Sequence, residues 1–445
     1  MQQPKPHSLF GAMRVCTLQA LSIVSPSLRK PKLECRQRGY GDFYVVVQPK
    51  VWGFICTTAH PLGCELNVRD QIERAGKRAA ADGGPRCVLV IGASTGYGLA
   101  ARITAAFGYG AATLGVFLEK PASATRTASA GWYNSAALHQ FAAHAGLPCV
   151  SINGDAFAAA TRACAIDAIQ RQLGGQVDLV IYSLAAPLRR LPDGTTARTA
   201  LKPIDATFTA KTIDTDRDAV TELTVPPASA AEISDTVAVM GGENWASWLS
   251  ALADSGALAE NATTVAYSYI GPEITWPIYW HGTIGRAKQD LEASAHELGT
   301  RHAAHGLRAQ VAIMKSVVTQ ASAAIPAMPL YLSVIQRILR ERKLDEDGLA
   351  QQQRLFRDFL YRADGQALSA DAQGRWRLDD RELRAEVQQA CLELWPQVTT
   401  QNLRKLTDYA HYQREFLQLF GFGRSDVNYQ EDVEIRRDFA CLRCD

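Results

Sequence analysis

Six short apolar runs recur along the middle of the chain, at 87–91, 112–117, 149–153, 177–182, 264–268 and 309–314. Each has the length of a strand buried on both faces, with no polar alternation. Between most of them the apolar positions recur with the helical period, as at 99–107, 136–145 and 160–173. Strands and helices that alternate in this way predict a parallel sheet with helices on both faces, because each crossover returns right-handed across the sheet. The stretch 187–260 interrupts the alternation. It is rich in Thr, Asp and Pro and predicts inserted hairpins and a helix. Past Lys315 the pattern is mostly helical. Residues 1–44 are basic and lack periodicity, so little packed structure is expected there. The expected fold class is α/β, a doubly wound parallel sheet with an N-terminal appendage and C-terminal helices. A single domain is expected over 45–445, with its core at about 85–320, a cover at about 320–345 and a helical C-terminal part.

Composition changes this picture little. Of 445 residues, 47% are hydrophobic and 21% charged, as in ordinary globular proteins. The net charge of +2 comes without a Lys/Arg stripe, so no nucleic-acid partner is expected. Ten scattered cysteines do not read as a disulfide framework, which suits a reducing cytoplasm. No run reaches the ~18 apolar residues of a membrane span. The stretch 15–24 is nearest to a signal-peptide core, but Arg14 and Gln19 limit it and no A-x-A site follows. A soluble cytoplasmic protein is expected.

The first apolar run ends in Gly92-Ala93-Ser94-Thr95-Gly96-Tyr97-Gly98, and an amphipathic helix follows. Here Gly92 suits a tight turn, Gly96 a backbone approached by pyrophosphate, and Gly98 a helix close to the sheet. The helix N-terminus offers free N–H groups to phosphate. The second strand ends at Leu118-Glu119, about 20 residues on, where an acid bonds the adenosine ribose. A carboxylate there repels a 2′-phosphate and favours NADH over NADPH, with Lys120 acting against it. Asp155-Ala156 and Ser183-Leu184-Ala185 close two further strand ends. Each alone reads equally well as a tight strand-to-helix turn; in this order they predict a dinucleotide site.

None of the 14 tyrosines has a lysine four residues later, the usual spacing of short-chain dehydrogenases. Instead Tyr279 and Lys288 are separated by eight residues, after Tyr267-Ser-Tyr269-Ile-Gly-Pro-Glu. At ~100° per residue, positions nine apart lie on opposite helix faces. Tyr279 must therefore sit in or before an irregular first turn, which Gly282 and Gly285 permit. These motifs, with the glycine loop and Gly53-Phe-Ile-Cys-Thr-Thr-Ala-His-Pro61, resemble the FabV-type enoyl-acyl-carrier-protein reductases and the related trans-2-enoyl-CoA reductases.

The resemblance covers roughly 45–435. It implies a monomer with an enlarged short-chain-dehydrogenase fold that reduces, with NADH, the 2,3 double bond of an acyl chain on acyl carrier protein. Its implied residues are Tyr279 as proton donor and Tyr269 as substrate-binding phenol. Implied NAD contacts run from Gly92 through Ala93, Ser94, Thr95 and Gly96 to Tyr97, and on to Leu118, Glu119, Asp155 and Ala156. They continue at Ser183, Leu184, Ala185, Lys288, Val317, Val318 and Thr319. Lys288 is also implied in catalysis, gripping the nicotinamide ribose and adding positive potential near the oxyanion. Such families begin near Val45, so 1–44 is expected to be extra, with Val45 a GTG start read as valine. The Cys441-x-x-Cys444 tail has no counterpart.

Chemically, a hydride goes to C3, charge develops on the thioester oxygen, and C2 is protonated afterwards. A phenol with a pKa of ~10 can donate to that oxygen without already being ionised. Rival readings stand beside each assignment. Without the resemblance, Tyr267, Tyr269 and Tyr279 read as packed aromatics and Lys288 as a solvated lysine. The segment 321–339 suits an acyl tunnel with a mobile lid, or a buried helix. Arg337, Arg340, Arg342 and Lys343 suit a carrier-protein dock, or a solvated face. Cys56, His60 and Cys64, like His302 and His305, read as structural, and no metal is expected. Whole-protein alternatives are an enoyl-CoA reductase, a non-catalytic NADH-binding regulator and a carbonyl reductase.

Overall fold

Apolar runs that satisfy both faces become the strands of one parallel sheet. In chain order these are β1 (Cys87–Ile91), β2 (Ala112–Phe117), β3 (Cys149–Asn153), β4 (Val177–Tyr182), β5 (Leu258–Ser268), β6 (Arg308–Ile313), β7 (Trp376–Arg377) and β8 (Leu442–Arg443). The computed structural model describes residues 36–38, 42–76, 83–362, 364–365 and 368–444. The strands run β7-β6-β5-β4-β1-β2-β3-β8, every pair parallel. Without its edge strands this is the doubly wound order, which reverses between β1 and β4 and leaves a crevice at their carboxyl ends. All five residues of β1 are buried, as a central strand covered on both faces requires.

Helices α1 (Pro61–Ala75), α2 (Gly96–Ile103), α3 (Ala130–His144), α4 (Ala159–Gln172), α5 (Ala230–Met240), α6 (Glu243–Asp254), α7 (Thr283–Arg301) and α8 (Met328–Glu341) flank the sheet or extend it. The insertion holds two hairpins, Leu188–Arg190 with Thr196–Arg198 and Phe208–Asp214 with Ala219–Val225, and two helices where one is predicted. Trp245 and Trp248 of α6 are fully buried, and their indole N–H groups donate to Thr264 Oγ1 (2.8 Å) and to the Ala156 carbonyl (2.9 Å). The insertion also fixes the start of α7. The Thr283 hydroxyl donates to the Ala200 carbonyl and its N–H to the Lys202 carbonyl.

Residues 1–35 and 39–41 lie outside the described residues, so most of the expected appendage does too. Strand Asp42–Val46 crosses the expected boundary at Val45, pairing antiparallel with Arg36–Arg38 on one edge and Asp432–Glu434 on the other. Within the segment 321–339, α8 is a core helix from Met328 on: both Leu330 and Tyr331 are fully buried, in a cluster with Tyr409, Tyr412 and Phe422. No disulfide framework is expected, yet Cys164 of α4 is bonded to Cys444, beside β8, with Cα atoms 6.2 Å apart. Cys441 stays free.

Candidate active site

Parallel strands in register bring their carboxyl ends to one edge. Ile91 lies opposite Tyr182, Phe117 opposite Asn153, and Ser268 opposite Ile313. Gly92, Leu118, Asp155, Ser183, Tyr269 and Lys315 all follow these ends. The first turn needs its glycines. Gly92 has φ +87°, and a Cβ there would sit 2.4 Å from the Ser183 carbonyl oxygen; one on Gly98 would sit 2.0 Å from that of Gly92. The N-cap of α2, Thr95, makes no side-chain capping bond.

A cavity of about 930 Å³ opens above this turn. Thr95, Gly96, Tyr97, Leu118, Glu119, Val317, Val318 and Thr319 line it. Leu118 is 72% exposed there, an apolar shelf at a strand end. The Ser94 hydroxyl donates to Glu119 Oε1 (2.7 Å), and Gly131 leaves this carboxylate its room, since a Cβ there would lie 2.0 Å from Oε1. Burial raises the Glu119 carboxyl above its usual range. The sequence reading missed the far walls, which include Asn67 and Arg74 of α1 and Gln418 and Arg424 near the C-terminus. No local pattern ties residues so distant to the glycine loop.

Other predicted contacts are not on this lining. Gly92 and Ala93 pack beneath it, and Ala93 is fully buried. Asp155 accepts the Phe157 N–H at 2.9 Å, so one of its oxygens serves its own turn. The Ala156 carbonyl is taken by Trp248, and the Ser183 N–H donates to the Ile91 carbonyl. Leu184 is half-buried and Ala185 exposed at the end of β4.

The phenols and the lysine follow the end of β5, off this lining. Tyr279 lies in the turn before α7, as the nine-position argument requires, and its carbonyl accepts the Gly282 and Gly285 N–H groups (both 3.1 Å). Gly285 allows this close turn, for a Cβ there would lie 1.8 Å from the Trp280 carbonyl. The Tyr269 and Tyr279 rings meet edge to face, 5.0 Å between centroids. Tyr279 and Lys288 are 6% and 8% exposed. Burial raises the Tyr279 phenol and lowers the Lys288 ammonium from 10.5 to about 8, with Glu292 opposing the latter shift. Among the described residues, neither the Tyr279 hydroxyl nor the Lys288 ammonium has a hydrogen-bond or ion-pair partner.

The neighbouring phenols are engaged. Tyr97 donates to the Lys315 carbonyl (2.9 Å) and Tyr267 to Gln352 (2.5 Å). Tyr269 and Tyr331 donate to Glu382 Oε1 at 3.0 and 2.7 Å. Ser316 lines the cavity, and its N–H donates to Glu382 Oε2 at 2.6 Å, which joins the cavity to the phenols. Glu382, more than 110 positions from Tyr269 in the chain, has no local signal and is missing from the sequence reading.

The remaining candidates have structural contacts. Arg337 pairs with Glu341, and Arg340 with Asp408. His60 caps α1, its Nδ1 accepting the Gly63 N–H, while Cys56 bonds the Thr58 carbonyl. His302 and His305 form a ring pair at the end of α7.

Three family descriptions match the chain. They are "NAD(P)H binding domain of trans-2-enoyl-CoA reductase" over 46–124, "Trans-2-enoyl-CoA reductase catalytic region" over 126–361, and "Enoyl reductase FAD binding domain" over 370–433. Enoyl-[acyl-carrier-protein] reductase [NADH] of Xanthomonas oryzae pv. oryzae is 58% identical over 399 residues, covering 89% of this chain and 99% of the relative. The Pseudomonas putida enzyme of the same name is 57% identical over 398, with the same coverage. The crystal structure of Treponema denticola trans-2-enoyl-CoA reductase in complex with NAD superposes with a TM-score of 0.84 at 44% identity, covering 88% and 99% of the two chains.

The flavin description does not fit what 370–433 forms. Its aromatics Tyr409, Tyr412, Phe416, Phe420 and Phe422 are buried in the same core as α8. The wedge at Gly421, φ +77°, is filled by the His60 carbonyl, 2.5 Å from where a Cβ would stand. Gln418 and Arg424 wall the cavity above the glycine loop itself.

Proposed function

The chain belongs to the trans-2-enoyl-CoA reductase family, and from that premise and its likeness to enoyl-[acyl-carrier-protein] reductases [NADH] we propose that it reduces the 2,3 double bond of trans-2-enoyl-acyl carrier protein with NADH. The observation that carries the reading is the pair of buried groups, the Tyr279 hydroxyl and the Lys288 ammonium, that have no protein partner. Neither group is matched by the protein itself, which leaves both to a ligand.

NADH supplies the hydride for C3. The protein's own residues do the rest. The glycine loop and the open first turn of α2 take the pyrophosphate, and Glu119 takes the ribose hydroxyls and disfavours a 2′-phosphate. Asp155, Ala156 and the 183–185 turn stand along the same strand edge, off the lining that Val317, Val318 and Thr319 help to form. Lys288 holds the nicotinamide ribose and adds positive potential. Tyr279, its proton retained by a raised pKa, donates to the thioester oxygen as negative charge gathers there. We take the protein to act as a cytoplasmic monomer; among the described residues no helix is long and apolar enough to cross a membrane.

The test is NADH consumption with matched 2-enoyl thioesters on carrier protein and on CoA. Wild type is expected to favour the carrier-protein substrate in kcat/KM. Tyr279→Phe is expected to lose about 100-fold or more in kcat, with NADH affinity changed less than about threefold. A folded Tyr279→Phe with full turnover would defeat the assignment. Preference for CoA would favour the enoyl-CoA reductase reading, which the Treponema denticola match supports.

A further inference from the structure

Glu382 follows β7, is 1% exposed, and gathers three donors from three separate parts of the molecule. They are the Tyr269 hydroxyl after β5 (3.0 Å), the Tyr331 hydroxyl of α8 (2.7 Å) and the Ser316 N–H of the cavity-lining loop (2.6 Å). A fourth contact fixes the direction of one of these bonds. Gln388 Nε2 donates to the Tyr331 oxygen at 3.3 Å and to the Glu382 carbonyl at 2.6 Å. The Tyr331 oxygen therefore already accepts, and its proton is free for the carboxylate.

A phenol has a single hydrogen. While Tyr269 gives its hydrogen to Glu382, it cannot give it to a thioester oxygen. Tyr279, whose ring packs against Tyr269, has no competing acceptor. We propose that Glu382 is a positioning residue of the reduction site: it fixes the Tyr269 proton away from the substrate, so that Tyr279 alone protonates or hydrogen-bonds the developing oxyanion. The same carboxylate locks Ser316, hence the loop leading to Val317, Val318 and Thr319, to the turn that holds the phenols.

This inference rests on the enoyl-thioester reductase reading. It also gives the segment 370–433 a role at the site where a flavin does not fit. In Glu382→Gln the amide oxygen must face the Ser316 N–H, which cannot accept, so the NH2 faces both phenol oxygens and takes away their acceptor. The Tyr269 hydroxyl then turns toward the substrate and competes with Tyr279.

A double-mutant cycle tests the proposal. We compare wild type, E382Q, Y269F and the double variant for kcat, KM of the enoyl thioester and NADH affinity. The expected result is about a tenfold or larger loss of kcat for E382Q, and less than about a threefold further loss when E382Q is added to Y269F. A carboxylate that merely props the fold would give multiplying losses in the two backgrounds. E382D, which keeps the charge, is expected to recover part of the lost kcat. Full activity of E382Q or multiplying losses would overturn the proposal. E382D takes its place in the cycle should E382Q not fold, and failure of both to fold would make Glu382 structural and end the idea. None of these results bears on Tyr279→Phe, so the parent reading fails or stands separately.

Discussion

At the scale of single residues, the site is defined by which polar groups the protein leaves unpaired. Lys288 shows the cost. Its ammonium titrates near 8 in the fold because burial disfavours the charge, against 10.5 for an exposed lysine. Each pKa unit is worth about 1.4 kcal/mol, so holding the charge in place costs on the order of 3 kcal/mol. Between pH 8 and 10.5 the unfolded chain binds the proton that the fold has lost, and stability of the cofactor-free protein rises with pH across that window. Below pH 8 both states are charged and the cost is constant. Lys288→Met should therefore raise the melting temperature at pH 7 and flatten this pH dependence while lowering NADH affinity at least ~10-fold. Thermal melts from pH 6 to 10 with NADH titrations check this, and a variant that melts lower at pH 7 would contradict it.

At the scale of elements, the glycine turn depends on helix–sheet contact. The backbone of α2 passes so close to the turn that a methyl on Gly98 would lie 2.0 Å from the Gly92 carbonyl oxygen. Gly98→Ala must push α2 off the sheet and carry Thr95, Gly96 and Tyr97 with it. Overpacking of this kind costs ~1–3 kcal/mol. The expected outcome is a melting temperature lower by several degrees and NADH binding weaker by about tenfold, read by calorimetry. A variant with wild-type affinity would show that the loop geometry tolerates the shift. The short elements past α8 act differently. They build walls, and their aromatics fill the core beneath α8.

At the scale of the whole molecule, one sheet edge collects residues from Ser94 to Glu382 into a continuous site, and the C-terminal segment is part of it. Because 370–433 is packed as wall and core, purified protein should carry no flavin absorbance. Added FAD should change neither the melting temperature nor NADH consumption with an enoyl thioester. A stoichiometric flavin, or a melting shift that saturates with FAD, would show that the segment opens.

Local chemistry was legible in the sequence because its signals are local. A strand that is apolar throughout, as 87–91 is, has to be buried on both faces, and β1, β2, β3 and β4 begin and end at the expected residues. The glycine turn and the displaced Tyr279 followed from backbone sterics and from helical rotation within a few residues. The sequence also determined the α/β class, since alternation leaves few topologies open. Only the tertiary structure decided what lies across from those residues. Glu382 reaches Tyr269, Tyr331 and Ser316 only once β7 has joined the sheet edge beside β6. Helix 328–341 became core because later aromatics cover it, and Cys164 met Cys444 because the last strand pairs with β3. Contacts between distant positions are set by the packing of the whole chain, and no spacing along the sequence records them.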